Sequence, residues 1–216
     1  MNSRDAILHR IRAALAGQPA VEPPSVPEVW PRQNLAPAAL VARFTEELEA
    51  VHGEVLRAGT IDEAGQRLAE LSSREGWHPV AAMDRPLCRQ LAQALGPDRV
   101  IWPQPEWTPT SMAELPLALL QADWLLADTG SCVVTCRTAQ QRLLCYLPPA
   151  CVIVATVDRL REHLPAAWPE IMPTLSDPAA RGETVIITGP SRTADIEKIL
   201  ILGVHGPKRV VVALVG

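Results

Sequence analysis

The chain has 216 residues, 48% of them hydrophobic and 20% charged, with a formal net charge of −4 and a pI near 5.7. These proportions describe a soluble globule of one large domain that needs no disulfide or metal staple, because a chain this long buries roughly 70% of the surface its unfolded form exposes. An acidic balance without a basic stripe excludes a nucleic-acid partner, and no apolar run approaches the roughly 18 residues of a membrane-spanning helix.

In chain order, Ser3 is a natural cap for a helix with apolar positions Ile7, Leu8, Ile11 and Leu15, stopped by Gly17. Arg4, Arg10 and Arg12 lend the segment some likeness to a transit peptide, whereas Asp5 and the orderly cap read as a structural helix. Residues 18–37 carry Pro19, Pro23, Pro24, Pro27, Pro31 and Pro37 with Trp30 as a large apolar residue. Repeated proline fixes φ and removes donors, so this stretch is expected to run extended, as an arm. Residues 1–37 are thus expected to form an N-terminal appendage and residues 38–216 the domain.

From residue 38 helical and extended patterns alternate. A helix with Leu40, Phe44, Leu48 and Val51 leads to a strand at Glu54–Arg57. A helix with Ala64, Leu68 and Leu71 leads to a strand at Pro79–Met83, and one with Leu87, Leu91 and Leu95 to a strand at Arg99–Trp102. Such alternation indicates crossover units and an α/β fold, mainly a parallel sheet with helices on both faces. The middle breaks the rhythm: Trp124–Asp128, Ser131–Cys136, Arg142–Leu147 and Cys151–Ala155 read as strands with links too short for helices. Antiparallel or bent pairing is expected there. Thr184–Thr188 then reads as a resumed crossover strand, followed by a helix and a last strand at Arg209–Val215.

Five cysteines (Cys88, Cys132, Cys136, Cys145 and Cys151) are an odd number with no secretory segment before them, which reads as reduced thiols in the cytoplasm. Cys132 and Cys136 share one strand face, a spacing compatible with metal binding or with packing. The residues do not supply the clustered cysteines of an iron–sulfur site, and no metal or cofactor is expected in this chain.

The strongest local signal is Thr188-Gly-Pro-Ser-Arg-Thr193. Gly189 permits a tight turn and close backbone approach, Pro190 fixes the next dihedral, and Ser191 and Thr193 are cap residues for a helix through Ile196, Leu200 and Leu202. With the Arg192 guanidinium and the amides of a helix start, that turn is a competent site for phosphate or carboxylate, at the strand end where open α/β sheets bind ligands. Glu197 follows, as a catalytic group, a local partner of Arg192 or a solvated side chain. His205, between Gly203 and Gly206, is an acid, base or ligand candidate, or a structural turn residue. A second turn, Ala127-Asp-Thr-Gly-Ser131, places Asp128 at a strand end as nucleophile, base or Asx-turn former, with Thr129 and Gly130 beside it as binding positions.

Gly189-Pro-Ser-Arg-Thr-Ala-Asp-Ile-Glu197, then Leu202-Gly-Val-His-Gly-Pro207, resembles the signature of the LUD (lactate utilization) domain, and Ala127-Asp-Thr-Gly130 agrees in order and spacing. The resemblance covers about residues 40 to 216 and is strongest to the protein C type. This chain departs from the type at Asp128, Cys145 and Cys151, where relatives often carry glutamate, serine and histidine. The likeness implies a fold similar to the ribose-5-phosphate isomerase, glucosamine-6-phosphate deaminase and coenzyme A transferase group. It implies a part in oxidising L-lactate to pyruvate, with iron–sulfur clusters carried by partner proteins. Two alternatives stand beside it: an independent enzyme acting on a sugar phosphate or acyl-CoA through Asp128 or Glu197 with His205, and a regulatory protein sensing a small anion.

Overall fold

A computed structural model describes residues 3–17, 24–25, 27, 29–176, 183–194, 200–202 and 206–216, with backbone alone at 193–194 and 200–202. The chain divides into two units, Met1–Pro31 and Arg32–Gly216. In the first, helix α1 (Ser3–Leu15) covers the expected apolar positions and is followed by Gly17 at φ +85°. Among the described residues no helix is long and apolar enough to cross a membrane.

The second unit runs α2 (Pro37–Ala50), β1 (Glu54–Ala58), α3 (Ile61–Glu75), β2 (Val80–Ala82), α4 (Pro86–Leu95), β3 (Val100–Ile101), α5 (Pro109–Ala113) and β4 (Leu117–Gln121). It continues with β5 (Trp124–Leu126), β6 (Ser131–Cys136), α6 (Ala139–Leu144), β7 (Ala150–Thr156), β8 (Leu160–Arg161), α7 (Leu164–Ser176) and β9 (Glu183–Ile187). A hairpin, β10 (Arg192–Ala194) and β11 (Leu200–Leu202), precedes the final β12 (Arg209–Val215).

Six strands form a parallel sheet in the order β1-β12-β7-β4-β2-β3, flanked by helices. β7 and β12 are buried almost throughout, which is why their sequences are nearly unbroken runs of Val, Ile, Ala and Leu. The helices have clear local causes. Thr60 accepts a hydrogen bond from the Glu63 amide at the start of α3, and Gly76 closes that helix in the left-handed region at φ 69°.

The antiparallel pairing expected in the middle of the chain lies in a separate mixed sheet, ordered β8-β5-β6-β9, with β5–β6 and β6–β9 antiparallel and β5–β8 parallel, whereas Cys151–Ala155 belongs to β7 of the parallel sheet. One face, with Leu125, Cys132, Val134, Val185 and Ile187, joins the core beneath the parallel sheet. The other face, with Trp124, Leu126 and Val133, packs under Ala167 and Ile171 of α7. Thr184–Thr188 therefore belongs to no crossover unit: β9 lies antiparallel to β6, with Val134 opposite Val185.

Two further expectations are corrected. Arg142–Leu147 is not a strand. Thr138 caps α6 by accepting from the Gln141 amide, and Leu143 and Leu147 are spaced for a helical turn that carries Leu144 into the core. Nor does a helix follow Ser191, where β10 and β11 pair antiparallel with Thr193 opposite Ile201. The apolar Leu200–Leu202 suits either element, and the β-branched Thr193 and Ile201 favour strand.

Glu162 ties the entry segment of this unit to the end of β8, accepting from the Gln33 and Leu35 amides at 2.7 Å each. Burial pulls its pKa upward, but the Leu35 and Gln33 amides outweigh it and hold the carboxyl below its ordinary value. The clamp is therefore fully present above the unfolded carboxylate pKa and is lost as pH falls through the lowered folded value. Glu162→Gln at neutral pH is expected to mimic that loss, raising hydrogen exchange at the Leu35 amide several-fold with β7 unchanged. An unaltered Leu35 rate in this variant rules the clamp out.

Candidate functional site

The β6–β9 ladder pairs Cys132 with Ile187, so the preceding Ser131 meets the following Thr188. Their hydroxyl oxygens are 2.7 Å apart, although the residues are 57 positions apart in the chain. Ser131 donates to Thr129 Oγ1 at 2.8 Å, and Thr129 donates to Asp128 Oδ1 at 3.3 Å. Each hydroxyl has one proton. With Ser131 spending its proton on Thr129, Thr188 is the donor to Ser131, and the relay runs Thr188, Ser131, Thr129, Asp128. Ser131 is buried, whereas Thr129 and Thr188 are exposed at either end.

Both turns rest on the last turn of α2, and two glycines make this possible. Gly130 has φ +61°, and a Cβ there would lie 2.3 Å from the Leu48 backbone nitrogen. Gly189 has φ +75°, and a Cβ there would lie 2.8 Å from Val51 Cγ2. The carboxyl end of a helix is the negative end of its dipole, so with Asp128 the surroundings favour a ligand that brings a proton to donate.

The structure joins Asp128, Thr129 and Gly130 to Gly189 through Ser131 and Thr188, two residues that sequence reasoning left in supporting positions. Pro190 is buried beside Gly189, and Arg192 is exposed. The proposed helix-start amides are absent, because β10 begins at Arg192 and the Ser191 amide donates to the Pro207 carbonyl at 2.8 Å. Ser191 and Thr193 are therefore not helix caps. Glu197 and His205 lie outside the described residues, as does the Thr193 side chain.

His163 was missed. It is buried, its Nδ1 accepts from the Ala166 amide at the start of α7, and its Nε2 has no partner among the described residues. It follows Glu162, whose carbonyl accepts the Asp128 amide at 3.0 Å. A lone histidine before Leu164-Pro165 carries no sequence signal that would have singled it out.

The LUD domain model matches residues 41–215. The chain is 24% identical to the lactate utilization protein C of Geobacillus thermodenitrificans (strain NG80-2), over 97% of this chain and 94% of that protein. It is 32% identical to the lactate utilization protein C of Bacillus pumilus (strain SAFR-032) over a shorter stretch, 44% of this chain and 40% of that protein. Among solved structures, a DUF162 family protein from Deinococcus radiodurans superposes with a TM-score of 0.61, covering 84% of this chain and 99% of that one at 16% identity, which shows a shared fold. A family match that runs from α2 to the end of β12 takes in both sheets and both turns of the site, and the chain belongs to the LUD domain family.

Proposed function

We propose that this chain serves lactate utilization as a component without a redox cluster of its own, and that the paired turns bind a small 2-hydroxy acid. The observation that carries the first part is the near full-length match to a protein named for that role. Electrons from the oxidation then pass to iron–sulfur partner proteins. The second part rests on the direction of the relay. All three hydroxyl protons point towards Asp128, so the exposed ends offer lone pairs rather than donors. A 2-hydroxy acid answers this arrangement: its hydroxyl donates to the relay, and its carboxylate is left for Arg192, four residues beyond Thr188.

Calorimetry with L-lactate, pyruvate and inorganic phosphate tests the site. A hydrogen bond to a neutral hydroxyl is worth about 0.5–1.5 kcal/mol, so lactate is expected to bind about threefold to tenfold tighter than pyruvate, which lacks the donor. Ser131→Ala interrupts the relay and is expected to weaken lactate about fivefold to tenfold while leaving pyruvate unchanged. Equal affinity for lactate and pyruvate contradicts the relay, and silence from all three ligands removes the binding role. The pathway is tested separately, by growth of a strain lacking the gene on L-lactate as sole carbon source.

A second reading, an independent enzyme acting on a sugar phosphate or acyl-CoA, is favoured by one observation: Asp128 and the Gly189 turn share a hydrogen-bonded chain. It requires turnover by the isolated protein that Asp128→Asn abolishes.

A further inference from the structure

β6 ends at Cys136 and α6 is closed by Cys145, and the two sulfurs lie 3.7 Å apart within a hydrogen bond. Cys136 also lines an open hollow of about 540 Å³ walled by Arg137, Thr138, Arg142 and Glu183. All five thiols are buried, Cys136 and Cys145 included, and Cys136 is the one that lines that hollow. We propose that Cys136 and Cys145 form an oxidisable dithiol, open to hydrogen peroxide through this hollow, that closes to an intramolecular disulfide.

The geometry requires little movement. A disulfide bond is about 2.0 Å long, so the sulfurs must approach by less than about 2 Å. Cys145 stands at the end of a six-residue helix, where the chain yields more readily than in the ladder that holds Cys136. The two thiols differ in role. Cys145 donates to the Gln141 carbonyl at 3.6 Å, and turning that proton to Cys136 stabilises the Cys136 thiolate and lowers its pKa, while the same bond and burial raise that of Cys145. Cys136 is thus the attacking sulfur. Its thiolate attacks one peroxide oxygen, the O–O bond breaks, and the departing hydroxide takes up the proton Cys136 had lost, leaving a sulfenic acid and water. The Cys145 sulfur then attacks the Cys136 sulfur. The S–O bond breaks, and the hydroxide leaves with the Cys145 proton as a second water. Two thiols are oxidised and one peroxide is reduced to two waters.

The folded full-length chain is exposed to a small excess of hydrogen peroxide, then denatured, alkylated and mapped by mass spectrometry. Of the five thiols, three are expected to remain free, the intact mass to fall by two hydrogens, and the peptides holding Cys136 and Cys145 to be joined. Dithiothreitol restores all five. Cys145→Ser is expected to prevent the bridge and let Cys136 gain oxygens instead, whereas Cys88→Ser still forms it. The proposal is overturned if all five thiols survive, if another pair is joined, or if wild-type Cys136 gains two oxygens without bridging. The wild-type peptide map alone decides among these outcomes should a variant fail to fold.

Discussion

Gly130→Ala is expected to remove about 4 kcal/mol of folding stability and to break the hydroxyl relay with it. Two penalties add. A left-handed backbone costs a residue with a Cβ about 1–2 kcal/mol, and Gly130 has φ +61°. Overlap adds about 1–3 kcal/mol, at the upper end here, because the new carbon would lie 2.3 Å from Leu48 N, 2.6 Å from Leu48 Cα and 2.8 Å from Glu47 C. Those atoms are helix backbone and have no rotamer by which to withdraw. Either α2 lifts or the turn does, and the turn carries Thr129 and Ser131. Gly189→Ala is the informative contrast. Its Cβ would meet Val51 Cγ2 at 2.8 Å, a side-chain end, and Val51 O at 3.1 Å, so about 2 kcal/mol is expected. Val51→Ala should then recover part of the loss, while Leu48→Ala should recover none of it in Gly130→Ala. Urea unfolding with matched slopes measures all four. A Gly130→Ala protein within about 1 kcal/mol of wild type, roughly the average loss for any point substitution, would falsify the close approach.

How far the residues announce this architecture depends on whether the deciding interaction is local. β2, β7 and β12 are legible because strands covered on both faces must be apolar at nearly every position, whereas the edge strands β1 and β3 are marked by the helices beside them, with Thr60 and Gly76 capping α3. α7 is hidden by its own prolines. Pro165, Pro169 and Pro173 argue against a helix, yet they recur every four residues, so the missing amide bonds fall on one exposed side while Ala167 and Ile171 pack inward. α6 is hidden by its apolar run, which suits strand or helix until Thr138 and Gln141 are seen to cap it.

The site follows the same division. Gly130 and Gly189 can be recognised as turn positions from their neighbours, and Asp128 from its place after a strand. That Ser131 meets Thr188 is a matter of sheet register across 57 residues, which no local pattern encodes. The helix expected after Ser191 failed because tertiary pairing overrode a cap signal. Without that helix no helix dipole faces the turn, and what the structure adds there is a chain of hydroxyls.

The second sheet carries every described group of that relay, and one ion pair fastens it to the parallel sheet. Arg85, at the turn between β2 and α4, pairs with Asp123 at the entry to β5, each side chain only 16% exposed. Asp123 also accepts the Thr135 amide of β6 at 2.9 Å, while Arg85 reaches the Thr135 carbonyl at 3.5 Å. Asp123→Ala is expected to cost about 3 kcal/mol, since removing one partner leaves a largely buried guanidinium and the Thr135 amide without their acceptor. Asp123→Asn keeps an oxygen for Thr135 and should lose about half as much. In the double variant Arg85→Met with Asp123→Ala no cation is orphaned, so its loss should fall short of the sum of the single losses by 1 kcal/mol or more, a coupling typical of residues in contact. The second sheet should also open before the first: amides of Trp124–Leu126 and Ser131–Cys136 exchange faster in Asp123→Ala while those of β7 stay protected. Additive losses, or exchange rising equally in both sheets, would mean that the shared apolar core alone holds the layers together and that Arg85 and Asp123 are bystanders to the site.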